Sequence, residues 1–182
     1  RDGIFDAMLR KEVFGTSGPR IRPRLFAGWS LDAGLCEAND MIAQAYANGV
    51  PMGADLSASD QSAKPSFLAY AAKDPDGKKL EALHLIKGWI DAEGNMNSEV
   101  IPVASAEAGA DSLCQLYTDS SFDPSQSAYY YLRAVEPETA RWHTYDCAAV
   151  AEADRPEVCS NDAYPQTVRE MAWTSPIWYQ GQ

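Results

Sequence analysis

The spacing of hydrophobic and polar residues predicts a helix at the start of the chain. Four large apolar side chains recur at i, i+1, i+4 and i+5 and therefore share one helix face: Ile4, Phe5, Met8 and Leu9. Asp2 can cap this helix at its first turn. We expect the helix to end at Gly15 and the following "TSGP" to form a loop.

From Arg20 the period of the pattern changes to two, which predicts a β-strand. Three arginines alternate with three other residues, so that Arg20, Arg22 and Arg24 face one way and Ile21, Pro23 and Leu25 the other. Proline has no N–H to donate to a neighbouring strand. We therefore expect this strand at a sheet edge or beside a bulge.

Further strands and short helices are predicted along the rest of the chain. Residues rich in leucine, valine and aromatic side chains predict strands at 66–73, 80–90, 99–103, 113–117 and 128–135, with a last short strand in "PIWY". The "DPDG" between the first two is a strong turn signal, so 80–90 is predicted to return beside 66–73. Weaker helical spacing predicts short helices at 38–48, 141–151 and 166–172.

These elements predict a mainly β fold. Several short strands with turn signals and little helix between them favour an antiparallel β-sandwich of immunoglobulin-like architecture, with an N-terminal helix and one or two short helices. The length of 182 residues suits one ordinary domain with a real core.

Composition narrows the classes of function. The net charge of −11 argues against a nucleic-acid partner, because proteins that bind nucleic acids carry basic surfaces. No apolar run approaches the roughly 20 residues of a membrane-spanning helix. The chain starts with Arg1 and has no signal-peptide pattern, so we expect it to have lost a leader or to be a piece of a longer protein.

The chain has four cysteines, and no pair has Cys-x-x-Cys spacing. Cys147 and Cys159 flank a proline-containing segment, and we predict a disulfide between them in an oxidising compartment. Four free thiols in a cytoplasmic protein are the alternative. The cellular location is left open, with a periplasmic or secreted one slightly favoured.

Catalytic and metal-binding motifs are scarce. A metallohydrolase needs several converging ligands, but the chain has only His84 and His143, outside any H-x-H or H-E-x-x-H motif. No G-x-S-x-G nucleophile motif is present, and "GTSGP" lacks the spacing and lysine of a phosphate-binding loop. We therefore predict neither catalytic residues nor a metal or cofactor in this chain.

Two short stretches are candidates for the rim of a site or for an inter-domain contact. Thr16 and Ser17 belong either to a plain helix-to-strand connector or to a site that another domain completes. Arg20 and Arg22 belong either to a solvated, salt-bridged row or to an inter-domain ion-pair row or anion-facing rim. The five tryptophans are core residues or, with the nine tyrosines, a sugar-stacking platform.

Six blocks resemble the C-terminal part of a large bacterial family, the domain of unknown function 3604: "DGIFDAMLRKEVFGTSGPRIRPRLFAGW", "GVPMGADL", "PSFLAYAAKDPDGKKLEALHLIKGWID", "FDPSQSAYYYLRAVE", "RWHTYD" and "REMAWTSPIWY". Full-length members resemble polymerase-and-histidinol-phosphatase (PHP) metal-dependent phosphoesterases and carbaryl-hydrolase-like metallohydrolases. There a β-rich domain follows a barrel that holds the metal ligands in His-x-His and Asp-x-His segments. Neither segment is present in this chain.

The resemblance implies a domain organisation. Residues 1–19 would be the last helix and crossover of an upstream catalytic barrel, and 20–182 a β-sandwich accessory domain packed on that barrel and shaping its mouth. The parent would be a metal-dependent hydrolase of unknown small-molecule substrate, with divalent ions in the barrel and this part non-catalytic. Residues 105–114 are shorter than the cysteine-containing insert of relatives, so no cysteine pairing is carried over.

The alternative is a free-standing β-sandwich that binds a ligand such as carbohydrate. An accessory domain should expose the apolar face of its first helix, whereas a binding module should show coplanar exposed tryptophans in a groove.

Overall fold

The computed structural model of the protein describes residues 1–59 and 63–181. The described residues form three α-helices, which are α1 (Asp2–Leu9), α2 (Met41–Asn48) and α3 (Trp142–Ala149). They also form twelve strands: β1 (Phe14–Thr16), β2 (Arg22–Gly28), β3 (Val50–Pro51), β4 (Ser66–Ala72), β5 (Leu80–Ile90), β6 (Met96–Ala110), β7 (Ser112–Thr118), β8 (Ala128–Val135), β9 (Thr139–Ala140), β10 (Thr167–Val168), β11 (Met171–Thr174) and β12 (Ile177–Tyr179).

The strands form two main sheets. The larger sheet has the order β1-β11-β8-β5-β6, with β12 also paired to β8, and the smaller has the order β3-β2-β4-β7. A short ribbon of β9 and β10 stands apart. All of these strand pairs are antiparallel. The mainly β, antiparallel sandwich predicted from the sequence is therefore confirmed.

The core lies between the two sheets. Alternate side chains of each central strand point inward, so Leu25 and Phe67 of the smaller sheet join Leu85 and Leu132 of the larger one in a single buried cluster. A second cluster lies on the outer face of the smaller sheet, where α2 covers Phe26. The inner face of each sheet is thus buried, and α2 covers part of one outer face.

The arginine-rich strand follows the predicted alternation. In β2, Arg22 and Arg24 are exposed while Leu25 is fully buried. Pro23 pairs with β4 on one side, and the short strand β3 reaches only Phe26 and Ala27 on the other. Pro23 therefore lies at an open edge, where a missing N–H costs no ladder hydrogen bond.

The predicted pairing of β4 with β5 is wrong, because the two strands belong to different sheets. β4 pairs with β2 and β7, while β5 pairs with β6 and β8. The "DPDG" turn reverses the chain, but residues 73–79 carry it across the sandwich from one sheet to the other. A turn signal specifies a local reversal, and the pairing follows from which neighbours cover both edges of a strand.

The predicted helix at 166–172 is also wrong, since this stretch contains β10 and the start of β11. β11 lies between β1 and β8, and this tertiary pairing overrides a weak helical pattern. The other short helices are confirmed as α2 and α3 with shorter bounds. α1 ends at Leu9 rather than at Gly15, because Phe14–Thr16 pairs with β11 as an edge strand.

Two disulfide bonds cross-link the chain. The predicted Cys147–Cys159 bond is confirmed and closes the segment that contains α3. A second bond, Cys36–Cys114, was not predicted and ties the chain just before α2 to β7. None of the helices formed by residues 1–59 and 63–181 is long and apolar enough to cross a membrane.

Candidate functional site

The predicted residues Thr16 and Ser17 lie at the edge of the larger sheet. Thr16 pairs with Ala172 in the β1–β11 ladder. The Ser17 amide donates to the carbonyl of Met171 at 3.0 Å, and the Met171 amide donates back to the Ser17 hydroxyl at 2.9 Å. The hydroxyl also contacts the carboxylate of Glu170. Ser17 is thereby fixed to the start of β11.

Arg20 is bound to the loop that joins the two sheets. Its backbone N–H donates to Asp74 Oδ2 at 2.7 Å, its guanidinium donates to Asp74 Oδ1 at 3.1 Å, and it also contacts Asp76. These hydrogen bonds, the backbone one first, lower the pKa of Asp74 to about 2. The Arg20 side chain remains 69% exposed, but the two carboxylates more than balance its single charge.

Arg22 lies elsewhere, on the outer face of the smaller sheet. It is exposed, and among the described residues it has no salt-bridge partner. Arg24 shares that face. Arg20 and Arg22 therefore differ in their partners, although the alternation puts both on the same side of the chain.

A buried carboxyl group lies near Asp74 and Glu170, the partners of Arg20 and Ser17. Glu136 is 3% exposed, and its Oε1 has no hydrogen-bond partner among the described residues. Burial raises the pKa of Glu136, and the charges of Glu170 and Asp74 raise it further. We call Ser17, Arg20, Asp74, Glu136 and Glu170 the carboxylate corner.

The contacts of the carboxylate corner anchor the chain between β1 and β2 to two other segments. Ser17 contacts a carboxylate there, and neither histidine takes part: His84 Nδ1 lies 3.1 Å from Arg133, and His143 is buried in α3. Across residues 1–59 and 63–181, no group of three or more His, Cys, Asp or Glu side chains could hold a metal ion. The absence of a cofactor from this chain stays a prediction.

A second polar group, not predicted from the sequence, is buried in the core. Lys87 Nζ lies 2.7 Å from Asp119 Oδ2, and the hydroxyl of Tyr130 donates to the same oxygen at 2.7 Å. Ser121 donates to Asp119 Oδ1 through its amide and its hydroxyl. The Lys87 ammonium also lies 5.3 Å from the ring centre of Trp89. The ion pair therefore has its hydrogen bonds satisfied, as a buried pair requires.

The first helix contributes no residue to the core. Four large apolar side chains on α1 are between 64% and 71% exposed, and we call them the α1 face: Ile4, Phe5, Met8 and Leu9. Phe14, at the start of β1, is also exposed, at 46%. The end of the helix is held to the sandwich by Glu12, whose carboxylate contacts the hydroxyl of Tyr46.

Comparison with known proteins gives one match. A family described as "Protein of unknown function (DUF3604)" matches residues 1–108 and 105–181. The chain belongs to this family. No curated protein and no solved structure shows significant similarity to it. The family predicted from the sequence is thus confirmed, and its links to PHP and carbaryl hydrolases stay a prediction.

Most of the residues that the sequence of this DUF3604 chain did not reveal bind a predicted residue that lies far away along the chain. Asp74 follows Arg20 by more than fifty positions, and Glu170 follows Ser17 by more than one hundred and fifty. The only signal for Asp74 was its place in "DPDG", where an aspartate caps a turn. Nothing in the sequence pairs Lys87 with Asp119.

Proposed function

We propose that this DUF3604 chain is the non-catalytic C-terminal accessory domain of a metal-dependent, phosphoesterase-like hydrolase, and that the α1 face packs on the catalytic barrel of its parent. Within the parent, the domain fixes the position of the barrel and shapes the mouth of its active site. The substrate and the divalent ions belong to the barrel.

The observation that carries this proposal is the exposure of the α1 face. An isolated helix of eight residues is marginal in water, and this one buries none of its side chains. Contiguous exposed apolar surfaces mark sites of interaction with another protein surface. Burying the exposed parts of the four side chains would contribute on the order of 5 kcal/mol before the costs of association.

The carboxylate corner supports a positioning role for the sandwich. Arg20 and Ser17 are tied to Asp74 and Glu170, so the stretch that links β1 to β2 is held at both ends. These contacts hold β1, the strand that follows the first helix, in a fixed place on the sandwich. The identity of the partner rests on the resemblance, in which a barrel precedes the β-rich domain.

The free-standing binding module is the less favoured function. The described residues form no platform of coplanar exposed tryptophans, the feature expected of such a module, because the two most exposed ones, Trp142 and Trp178, lie on α3 and β12. Within the described part of the chain, no two tryptophan rings contact each other.

The test uses the protein encoded by the complete open reading frame and the double variant Phe5→Asp/Leu9→Asp. We expect separate unfolding transitions for barrel and sandwich in the variant, because two charges in the contact oppose docking, and one joint transition in the wild type. The matched control is Tyr145→Asp, which places a charge at an exposed aromatic residue on α3, a helix of the same length. Equal behaviour of variant and control would contradict the docking surface.

Metal analysis tests the non-catalytic assignment. We expect metal in the parent and in the double variant, and none bound tightly by the 182-residue chain. Near-stoichiometric zinc or manganese in this chain, together with hydrolysis of an aryl phosphate that a chelator abolishes, would overturn the assignment.

A further inference from the structure

A row of side chains crosses the outer face of the larger sheet near β12. Asp55 forms a parallel bridge with Trp178, Trp178 pairs with Tyr129 of β8, and Tyr129 pairs with Gly88 of β5. Directly paired residues project to the same face of a sheet. Since Tyr130 next to Tyr129 is buried in the core, the row lies on the outer face.

The two aromatic residues of this row are joined by Tyr131, two residues further along β8. The ring centres of Tyr129 and Trp178 are 5.4 Å apart with planes tilted by 51°, and those of Tyr129 and Tyr131 are 6.4 Å apart with nearly parallel planes. A Cβ at Gly88 would lie 2.3 Å from the Tyr129 ring, so only glycine lets this ring rest on the strand. We call Trp178, Tyr129 and Tyr131 the aromatic strip. Trp178 is its most exposed member, at 44%.

An open cleft of about 750 Å³ borders Trp178. Four polar side chains line it and have no hydrogen-bond partner among the described residues: Lys11, Asp55, Ser57 and Gln180. All four are exposed, so their donors and acceptors are available to a ligand. A small-molecule site similarly combines an apolar contact with a few polar groups that orient the ligand.

The backbone at Lys11 closes the end of α1 in a left-handed conformation. Its φ is +60°, as is common just after a helix, and the amides of Lys11 and Glu12 donate to the carbonyls of Met8 and Ala7 in the last turn. Gly53, with φ of +87°, packs against it so closely that a Cβ there would lie 2.2 Å from the Lys11 carbonyl oxygen. Two left-handed residues in contact therefore fix this wall of the cleft.

We propose that the cleft and the aromatic strip bind a neutral oligosaccharide. One sugar ring stacks its C–H face on Trp178 and further rings follow over Tyr129, while Asp55, Lys11 and Gln180 bond the hydroxyl groups. The cleft offers one cation and one anion, so its own charge is balanced. The net charge of −11 repels polyanionic saccharides, which favours a neutral one. This site is independent of the accessory function and shares no residue with the α1 face.

The test titrates the chain with cellohexaose, xylohexaose, maltohexaose and mannohexaose and follows backbone and indole N–H signals by NMR. We expect at least one of these to shift the Trp178 indole and the amides at Asp55 and Gln180. Trp178→Ala should weaken that affinity about tenfold or more. Trp142→Ala, which removes the exposed tryptophan of α3, is the matched control and should leave the affinity unchanged.

Further variants separate loss of the ring from loss of the fold. Trp178→Phe keeps an aromatic face and should retain most of the binding, and Asp55→Ala should weaken it without changing the thermal unfolding temperature. The absence of shifts with all four saccharides, equal effects of the two tryptophan variants, or tighter binding of hexagalacturonate would overturn the proposal. None of these outcomes bears on docking through the α1 face, which the Phe5→Asp/Leu9→Asp variant tests separately.

Discussion

Lys87→Met tests the buried ion pair that joins β5 to the loop before β8. The Lys87 side chain is 7% exposed and its partner Asp119 is fully buried. Methionine keeps the apolar stem of lysine and fills a similar volume, so the change removes the charge with little cavity. The variant therefore leaves a carboxylate without its counter-ion in the core.

The expected fall in the free energy of unfolding follows from the contacts that Asp119 keeps in the variant. Removing one partner of a buried pair costs about 3–5 kcal/mol. Asp119 keeps the hydroxyl of Tyr130 at 2.7 Å and two donors from Ser121 at 2.8 and 2.9 Å. Because these three hydrogen bonds reduce the destabilisation, we expect the free energy of unfolding to fall by about 3 kcal/mol at neutral pH.

The pH dependence of this stability loss gives a second, independent test. Burial pushes the pKa of Asp119 upward, but hydrogen bonds from Lys87, Tyr130 and Ser121 outweigh it and hold the pKa below its ordinary value. Without Lys87, burial should raise that pKa above the value in the unfolded chain. A raised pKa gives stability that is lost as the pH rises through it, so the variant should lose more stability near pH 7 than near about pH 4.

Urea unfolding with both disulfides intact measures the effect at the two pH values, with exposed Lys79→Met as the matched control. A loss below about 1 kcal/mol at neutral pH, or a loss that is the same at both pH values, would refute the assignment of Lys87 and Asp119 as a buried ion pair. The control should lose little stability at either pH.

The remaining predictions concern the carboxylate corner and a disulfide. Arg20→Ala keeps the backbone N–H that lowers the pKa of Asp74 most but removes the guanidinium. It should therefore raise that pKa part of the way from about 2 toward the ordinary aspartate range in an NMR titration. In the parent it should weaken docking or substrate affinity without changing metal content. Replacing Cys36 and Cys114 by serine, a pair 78 positions apart, should cost about 4 kcal/mol in urea unfolding. Glu136→Gln should stabilise the chain above the raised pKa of Glu136 and change little in acid, where both side chains are neutral. An unchanged pKa of Asp74 would contradict its contact with Arg20, and an unchanged urea midpoint would contradict the Cys36–Cys114 bond. An effect of Glu136→Gln that does not depend on pH would contradict the burial of the Glu136 carboxylate.

Local periodicity accounts for the elements that were predicted correctly. The alternation around β2 identified its buried and exposed faces, because a two-residue period leaves only two possible orientations. The aromatic residues of β8 indicated a strand for a similar reason, since they fit a pleated surface half-buried in a core. Helical spacing alone places the four side chains of the α1 face together, and the structure shows that they are exposed.

Partners distant along the chain account for what was missed. The assignment of β4 and β5 to different sheets, the Cys36–Cys114 bond and the Lys87–Asp119 pair all depend on tertiary contacts that no local pattern encodes. The stretch 166–172 shows the same limit, because pairing with β8 and β1 converted a weak helical pattern into strand. Asp55 joined Trp178 through an isolated bridge, which has no sequence signature.

Hydrogen exchange at residues 2–12, compared between the isolated chain and the parent protein, tests docking of the α1 face most directly. We predict fast exchange in a dilute monomer of this chain, where α1 buries no side chain, and strong protection in the parent, where the barrel covers the α1 face. Protection in the proven monomer equal to that of Leu80–Ile90 in the central strand β5 would contradict the account, because the helix would then be stable without a partner.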